Sequence, residues 1–354
     1  MARIRTTTLN YRPDDMHVHF REDERMGSVV SFTARQFHRA IVMPNTKPLI
    51  LTVDDAGAYR DAILAVVPSG VNFEPLMTLY LQEVTSLDTI RAAKKSGFIH
   101  GIKMYPKGKT TNAHGGVIDV RDVKEQLEVM QEVDIPLLMH GESAAKDVDI
   151  FNRESAFYDD AFDWLIHTFP KLRISCEHVT TAHAARKILA APRDRRIGAT
   201  VTPQHLLVNR NYMLDGALRP HAFCKPILKK EEDRRFLLDV VTGGSPRFFL
   251  GTDSAPHPQH GNVGMAKECD CGCAGCFTAH AALEMYAEAF ESRGRLAMLE
   301  NFASKFGAEF YELPRNQDSL TLEEISWQAE PSYKFGDDVV VPFRQEVPLQ
   351  WRMM

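Results

Sequence analysis

The most informative absences in this 354-residue sequence are of long apolar runs and of basic charge. No apolar run is long enough to cross a bilayer, and the first ten residues lack the apolar core of a signal peptide. The net charge is -5, and no basic stripe suited to nucleic acid is present. These absences favour a cytoplasmic protein that binds neither nucleic acid nor membrane and acts on a small-molecule substrate.

Cysteine is also scarce, and its six copies are unevenly placed. Cys176 and Cys224 stand alone, whereas four others crowd into the stretch 269–276. In a reducing compartment such a crowd indicates thiols or a metal site more than a disulfide framework. The stretch could therefore bind a structural zinc ion. The alternative is a tight turn, made possible by its glycines, that offers backbone groups to a ligand.

What the sequence does contain is an alternation of short apolar segments with longer segments of helical spacing. Eight segments are predicted strands: Asp14–Phe20, Ala40–Met43, Asn72–Leu81, Ile99–Tyr105, Ile135–His140, Arg173–His178, Ile197–Val201 and Phe248–Asp253. Helices are predicted between them, including Val53–Val66, Leu87–Ser96, Val120–Glu132, Ala156–Thr168, Thr181–Leu189 and Glu231–Thr242. Eight strand-helix units in roughly 250 residues are typical of a closed (β/α)8 TIM barrel. An open doubly wound sheet is the alternative, but it usually has a glycine-rich turn after its first strand.

The end of the chain predicts smaller additions to this barrel. Two helical stretches are expected at about Thr278–Glu291 and Leu296–Phe306, and one or two short strands at Val339–Trp351. No internal repeat or linker interrupts the sequence. We therefore expect one domain, residues 1–354, with a barrel core at about 12–310 and a C-terminal extension at about 311–354 that packs on the barrel with the first ten residues.

The first predicted strand carries a His-x-His pair, His17 and His19. Residues two apart on a strand point to the same face, so the two imidazoles are presented side by side. Neutral imidazoles on a rigid element are good ligands for a transition metal. Taken alone, however, the pair also fits an ordinary strand whose polar face happens to carry two histidines.

The other predicted strands decide between these interpretations, because the active site of a TIM barrel lies at the carboxyl ends of its strands. Ligand-type residues occupy that end of five strands: His17, His19, Lys103, His140, His178 and Asp253. Singly, a histidine could belong to the core and the aspartate could cap a helix. Together, at one mouth, they predict a metal centre.

The number of these residues predicts two metal ions, because four histidines and a carboxylate exceed what one catalytic zinc needs. An ammonium group beside two dications would be repelled, and the same field lowers the pKa of Lys103 toward the neutral amine. A neutral amine can add carbon dioxide to become a carbamate, whose two oxygens can bridge two metals. The alternative is that Lys103 points away from the mouth as a surface salt-bridge partner.

Several motifs in chain order carry a resemblance to a known family. They are His17-Val18-His19-Phe20-Arg21, Met43-Pro44-Asn45-Thr46, Ile102-Lys103-Met104-Tyr105-Pro106, Met139-His140-Gly141-Glu142, Glu177-His178, Thr202-Pro203-Gln204-His205 and Gly251-Thr252-Asp253-Ser254-Ala255-Pro256-His257. Over residues 12 to 345 the chain resembles the amidohydrolase superfamily and, more narrowly, the shorter bacterial (class II) type of dihydroorotase. The resemblance implies the reversible cyclisation of N-carbamoyl-L-aspartate to dihydroorotate in pyrimidine biosynthesis.

The resemblance also implies a set of site residues and a homodimer. One zinc ion would be bound by His17, His19, Asp253 and a carboxylated Lys103. The other would be bound by Lys103, His140 and His178, and a hydroxide would also bridge the two ions. The substrate would be held by Arg21, Asn45, His257, backbone groups near Lys225 and Ala274, and a mobile loop that includes Thr110 and Thr111.

Elementary chemistry agrees with two of these implied roles. Asp253 beside the hydroxide can accept its proton and deliver it to the leaving ring nitrogen. Arg21 offers a planar, bidentate grip on a carboxylate that lysine cannot reproduce. Two other functions stay open: a cyclic amide hydrolase acting on hydantoins or dihydropyrimidines, and an inactive barrel that serves as a scaffold. The former substrates lack the ring carboxylate, and the latter would be expected to lose ligand residues.

Overall fold

The computed structural model describes residues 5–260, 267–268 and 272–354. Along these residues the strands are β1 (Thr6–Leu9), β2 (Asp14–Val18), β3 (Arg39–Val42), β4 (Glu74–Tyr80), β5 (Ile99–Met104), β6 (Leu137–His140), β7 (Ile174–Glu177), β8 (Ile197–Val201), β9 (Phe248–Leu250), β10 (Leu320–Trp327), β11 (Tyr333–Phe335), β12 (Asp338–Val340) and β13 (Leu349–Met353). Strands β2 to β9 form one eight-stranded sheet in chain order, and every neighbouring pair in that order is parallel. The eight predicted strands are therefore confirmed, with ends that differ by at most three residues.

The sheet closes between its first and last strands. Val18 and Ser254 form a parallel bridge, and the Asp253 amide donates to the His17 carbonyl oxygen at 2.9 Å. The His19 amide donates to the Ser254 carbonyl oxygen at 3.0 Å. The predicted (β/α)8 barrel is thus confirmed, and its seam joins the strand that carries the two histidines to the segment that carries Asp253.

The helices fill the connections between the strands. They are α1 (Asp23–Gln36), α2 (Val53–Ala65), α3 (Leu87–Ser96), α4 (Lys124–Glu132), α5 (Arg153–Phe157), α6 (Asp163–Thr168), α7 (Ala182–Ala190), α8 (Pro203–Leu207), α9 (Arg210–Leu214), α10 (Glu231–Thr242), α11 (Ala282–Glu291) and α12 (Phe306–Tyr311). Local sequence explains several boundaries: Thr52 and Asp55 form a capping box at the start of α2, and Gly97 ends α3 in the left-handed conformation. In the ranges described, none of the helices has both the length and the apolar character needed to cross a membrane.

Three predicted helices are less regular than their sequence spacing indicates. The segment predicted at Ala156–Thr168 begins earlier, as α5, and is interrupted by a π-helical turn at Tyr158–Phe162 before α6. The segment predicted at Leu296–Phe306 is a 3-10 turn, a π-helical turn and only then α12. The third, predicted at Val120–Glu132, begins as a 3-10 turn at Val120–Val123 before α4. Apolar residues recur at similar intervals in all three kinds of helix, so the spacing alone does not separate them.

The chain termini form a small antiparallel sheet with the order β1-β10-β13, and β11 pairs with β12 in a hairpin. The sequence predicted strands only at Val339–Trp351, whereas β10 and β11 lie earlier in the chain. Strand β10 alternates buried and half-buried side chains only at its start. Because this alternation is weak, the sequence does not predict β10 as a strand.

Apolar side chains close the amino-terminal half of the barrel interior. They come from five strands and from the α12 segment: Met16, Ile41, Leu76, Phe249 and Tyr311 are among them, all buried. Leu138 belongs to the same cluster, and two residues further along β6, on the same face of the strand, stands His140. The interior therefore changes from apolar to ligand-type residues toward the carboxyl ends of the strands.

Candidate metal centre

Three potential ligands converge at the seam of the barrel. The ligand atoms of His17, His178 and Asp253 all lie within 4.8 Å of one another, and all three residues are buried. His19 joins them from the segment after β2, with its Nε2 atom 3.2 Å from Asp253 Oδ1. His17 Nε2 lies 3.3 Å from the same carboxylate oxygen. Among the residues that the structure describes, this is a group that could hold a metal ion.

His140 extends this group on the side of His178. The rings of His140 and His178 are 4.5 Å apart between centroids, and those of His17 and His178 are 5.1 Å apart. The four histidines and Asp253 thus form a continuous cluster.

Two histidine rings are oriented by buried carboxylates. His17 Nδ1 lies 2.5 Å from Glu177 Oε2, which leaves His17 Nε2 facing Asp253. His140 Nε2 lies 2.6 Å from Glu142 Oε2, which leaves His140 Nδ1 as the ring nitrogen that could bind a metal. A histidine that ligates a metal commonly donates its second ring nitrogen to a carboxylate in this way.

Lys103 lies near the end of β5, close enough to His17, His140 and His178 to influence their charges. Its side chain is fully buried, and its Nζ atom has no hydrogen-bond partner among the described residues. Burial lowers the pKa of Lys103 to about 8, although Glu177 and Asp253 oppose the shift. The Nζ atom lies 5.3 Å from the centroid of the Tyr105 ring. Because a buried ammonium without hydrogen bonds is costly, this position is unlike the surface salt-bridge partner that the sequence left open.

Burial also keeps several of the imidazoles in the form that binds metals. It lowers the pKa of His19 to about 4, and it lowers the pKa of His140 and, further, that of His178. Burial alone would raise the pKa of Asp253, but His17 and His19 outweigh it and hold that pKa well below its usual range. Burial and Lys103 would lower the pKa of His17, but Asp253 and Glu177 outweigh them and raise it. The three other imidazoles, neutral and close to the Asp253 carboxylate, are suitable donors for a divalent cation.

Two of the cluster residues lie just outside the strands that were predicted to end with them. His178 directly follows β7, and Asp253 is three residues beyond β9. Both have left-handed backbones, with φ of 41° and 43°. Non-glycine residues in that region carry strain of about 1–3 kcal/mol and are found at functional sites.

Asp15 holds the two sides of the seam together from below. It accepts hydrogen bonds from the Thr252 amide at 2.8 Å, the Thr252 hydroxyl at 2.6 Å and the His17 amide at 3.1 Å. Burial raises the pKa of Asp15 to about 7 despite these bonds. Asp15 was not predicted as a site residue, although its place two residues before His17 is a usable signal in the sequence.

A small cavity opens above the cluster and contains most of the predicted substrate residues. Its walls include His17, His19, Arg21, Asn45, Thr110, Thr111, His140, His178, Lys225, Asp253 and Ala274. The structure adds Tyr105, Ala255 and Gly275, which were not predicted from the sequence as site residues. Lys103 and His257 are not among the residues that line this cavity.

Arg21 and His257 are joined at one wall of the cavity. Arg21 Nε donates to the Pro256 carbonyl oxygen at 2.7 Å, and its Nη2 atom lies 3.0 Å from His257 Nε2. His257 Nε2 is also 3.0 Å from the Ala274 carbonyl oxygen, so this nitrogen can either accept from Arg21 or donate to Ala274, but cannot do both at once. The guanidinium is therefore anchored by its own neighbours, a suitable arrangement for receiving a carboxylate.

The loop after β5 covers the cavity from the other side. Asn45 Nδ2 donates to the Thr111 carbonyl oxygen at 3.0 Å, and Asn112 Nδ2 donates to the Asn45 carbonyl oxygen at 2.7 Å. These bonds place Thr110 and Thr111 over the cluster.

The cysteine-rich stretch is described only in part, because Cys269 and Cys271 lie outside the described residues. Its last part approaches the cavity at Ala274 and Gly275. Gly275 has φ of 149°, and a Cβ atom there would lie 2.3 Å from the Ala255 carbonyl oxygen. Only glycine fits so close an approach.

A barrel whose strand ends present four histidines, a buried lysine and an aspartate defines the amidohydrolase class of hydrolases. No family model matches the chain. It is 50% identical over 354 residues, all of both chains, to a dihydroorotase of Alkalilimnicola ehrlichii. Among solved structures, it is similar to a dihydroorotase of Campylobacter jejuni, with a TM-score of 0.88 and 33% identity over 100% of this chain and 98% of that one. A Saccharomyces cerevisiae dihydroorotase in complex with 5-fluoroorotic acid gives a TM-score of 0.89 and 30% identity over 99% and 98% of the chains. The chain belongs to the dihydroorotase family.

Proposed function

We propose that this chain is a zinc-dependent dihydroorotase that interconverts N-carbamoyl-L-aspartate and (S)-dihydroorotate in pyrimidine biosynthesis. Full-length similarity to dihydroorotases supports the reaction. The observation that carries the metal-dependent mechanism is Lys103, which is buried close to His17, His178 and Asp253 and whose Nζ atom has no hydrogen-bond partner among the described residues. Carboxylation would convert the buried ammonium of Lys103 into a carbamate, an anion whose charge the bound metal ions would neutralise.

The residues present fit two divalent ions. His17, His19 and Asp253 would hold one ion and His140 and His178 the other, with carboxylated Lys103 shared between them. His178 Nδ1 is buried without a hydrogen-bond partner among the described residues, as expected for a nitrogen that binds a metal ion. Two bound ions would lower the pKa of water and polarise the ring amide carbonyl.

Asp253 is proposed as the general acid and base. Its carboxyl is ionised, which is the form that can accept a proton from the attacking water, whose own pKa the bound ions would lower. The same carboxyl then delivers the proton to the ring nitrogen that leaves. In the biosynthetic direction Asp253 takes the proton from the ureido nitrogen.

Arg21, Asn45 and His257 are proposed to hold the ring carboxylate, with backbone groups near Lys225 and Ala274. The anchored guanidinium of Arg21 distinguishes this function from that of a hydantoinase or dihydropyrimidinase, whose substrates carry no carboxylate for it to bind. Retention of all six ligand positions argues against an inactive scaffold.

The test is to count metals in the purified protein and to follow the ring opening of dihydroorotate before and after chelation. We expect two zinc ions per subunit, loss of turnover on chelation and recovery when zinc is returned. Turnover of hydantoin but not of dihydroorotate would refute the proposed reaction. Full activity without metal would refute the proposed centre.

We also propose a cytoplasmic homodimer whose subunit is one domain. The resemblance to the class II dihydroorotases supports the dimer, and the small-molecule substrate is consistent with the cytoplasm. Sedimentation equilibrium would test the dimer, with twice the 40.0 kDa chain mass as the expected result.

A further inference from the structure

We propose that Glu177 and Glu142 are positioning residues that serve different halves of the metal centre. Glu177 orients His17 and so supports one ion, while Glu142 orients His140 and supports the other. This inference rests on the two-metal centre proposed above.

Glu177 makes its contact from the end of β7, directly before His178. Its Oε2 atom lies 2.5 Å from His17 Nδ1 and accepts from the Thr200 hydroxyl at 3.0 Å. Both partners of the His17–Glu177 pair are essentially inaccessible to solvent, at 1% and 0% side-chain exposure. A carboxylate that accepts the Nδ1 proton fixes the tautomer in which Nε2 carries the lone pair, and His17 Nε2 is the atom that faces Asp253.

Glu142 makes the corresponding contact with the opposite ring nitrogen. Its Oε2 atom lies 2.6 Å from His140 Nε2, and both side chains are 2% exposed. The pair is formed within the segment that leaves β6, because the Glu142 amide donates to the His140 carbonyl oxygen at 2.9 Å. This hydrogen bond fixes the tautomer of His140 that carries its lone pair on Nδ1, and Nδ1 is then the nitrogen that can bind the metal ion.

The two pairs share no hydrogen bond, so their effects on metal binding can be separated. Loss of such a carboxylate partner typically weakens metal binding by about 10- to 100-fold. We therefore expect a substitution of Glu177 or of Glu142 to lower the zinc affinity of one half of the centre by about that factor. The affinity of the other half should stay near its wild-type value. Without the carboxylate, the imidazole loses the fixed tautomer and part of its basicity.

The experiment uses the full chain, stripped of metal and titrated with zinc against a chromophoric chelator. Glu177→Gln and Glu142→Gln are compared in the wild type and in two backgrounds that each disable one half, His19→Ala and His178→Ala. The His178→Ala background keeps the His17 half of the centre. In this background Glu177→Gln should lower the affinity for the remaining zinc ion by about 10- to 100-fold, and Glu142→Gln should leave that affinity unchanged. In His19→Ala the order should be reversed.

Glu284→Gln is the matched control, because Glu284 is also a buried carboxylate but lies on α11 and contacts the Met353 amide. It should leave both affinities unchanged. Glu177→Asp keeps the charge and should recover part of the affinity that Glu177→Gln loses. Melting of the metal-free proteins identifies any variant that fails to fold, and the Glu142→Gln arm then decides the question by itself.

The possible outcomes separate this inference from the proposed function. Wild-type affinity for both ions in Glu177→Gln and Glu142→Gln would overturn the inference and leave the two-metal centre intact. Weakening of the same ion by both substitutions would also overturn it. A wild-type chain that binds no zinc would instead overturn the proposed function itself.

Discussion

Replacing Arg21 with lysine tests whether this residue selects a ring that carries a carboxylate. Lysine keeps the positive charge but loses the planar fork that can donate two parallel hydrogen bonds. The structure holds this fork at the cavity by the contacts of Arg21 with Pro256 and His257, and lysine cannot reproduce both. We expect the loss of one charge-assisted hydrogen bond in the bound state, about 1.5–3 kcal/mol.

At about 1.4 kcal/mol per tenfold change, this loss corresponds to a fall of about 10- to 150-fold in kcat/KM for dihydroorotate. The assay pairs that value with the inhibition constant of dihydrouracil, the same ring without its carboxylate, which should change by less than about twofold. Arg25→Lys is the control, because Arg25 lies nearby and pairs with exposed Asp23 at 3.6 Å. Equal losses for the ring with and without the carboxylate would refute the assigned role of Arg21.

Two further predictions concern buried carboxylates. Asp253→Asn should keep most of the substrate affinity and lower kcat by about 10²- to 10⁴-fold, because the amide cannot transfer the proton; a near-normal rate would rule Asp253 out as the base. Burial raises the pKa of Glu284 from 4.5 to about 7, so this residue stabilises the fold in its neutral form and loses that contribution as the pH rises through about 7. Glu284→Gln should therefore match the wild type in urea unfolding near pH 4 and exceed it by up to about 3 kcal/mol above pH 8, at 1.36 kcal/mol per pKa unit. A stability difference that does not vary with pH would contradict this reasoning.

The barrel could be predicted because its strands are buried on both faces and so appear as short apolar runs, as in Ile197–Val201, whose bounds match β8. The rest of the strand order follows from the rule that parallel crossovers are right-handed. The irregular helices could not be predicted, because a π-helical turn such as Tyr158–Phe162 depends on tertiary packing more than on spacing. The terminal sheet was only partly foreseen, since β10 pairs with β1, which lies more than 300 residues away.

The candidate site was predictable to the level of which residues meet, because the carboxyl ends of barrel strands meet at one mouth. How they meet was not predictable. Glu142 and Glu177 lie within recognised motifs, yet whether a carboxylate faces Nδ1 or Nε2 of a neighbouring histidine depends on side-chain rotamers that no spacing records. The left-handed backbones of Arg21, His178 and Asp253 were equally hidden, because non-glycine residues adopt that region rarely, even those types, such as His and Asp, that are enriched there.

The seam between β2 and the segment after β9 also has a consequence for folding. His17 and Asp253 touch across it, although 235 residues separate them in the chain. Contacts of such high sequence separation carry a large loop-closure cost and form late. A chain emerging from the ribosome therefore cannot assemble the metal cluster until its eighth strand has been made and docked. Zinc uptake during refolding would then report closure of the barrel, and should lag behind the gain of helical signal.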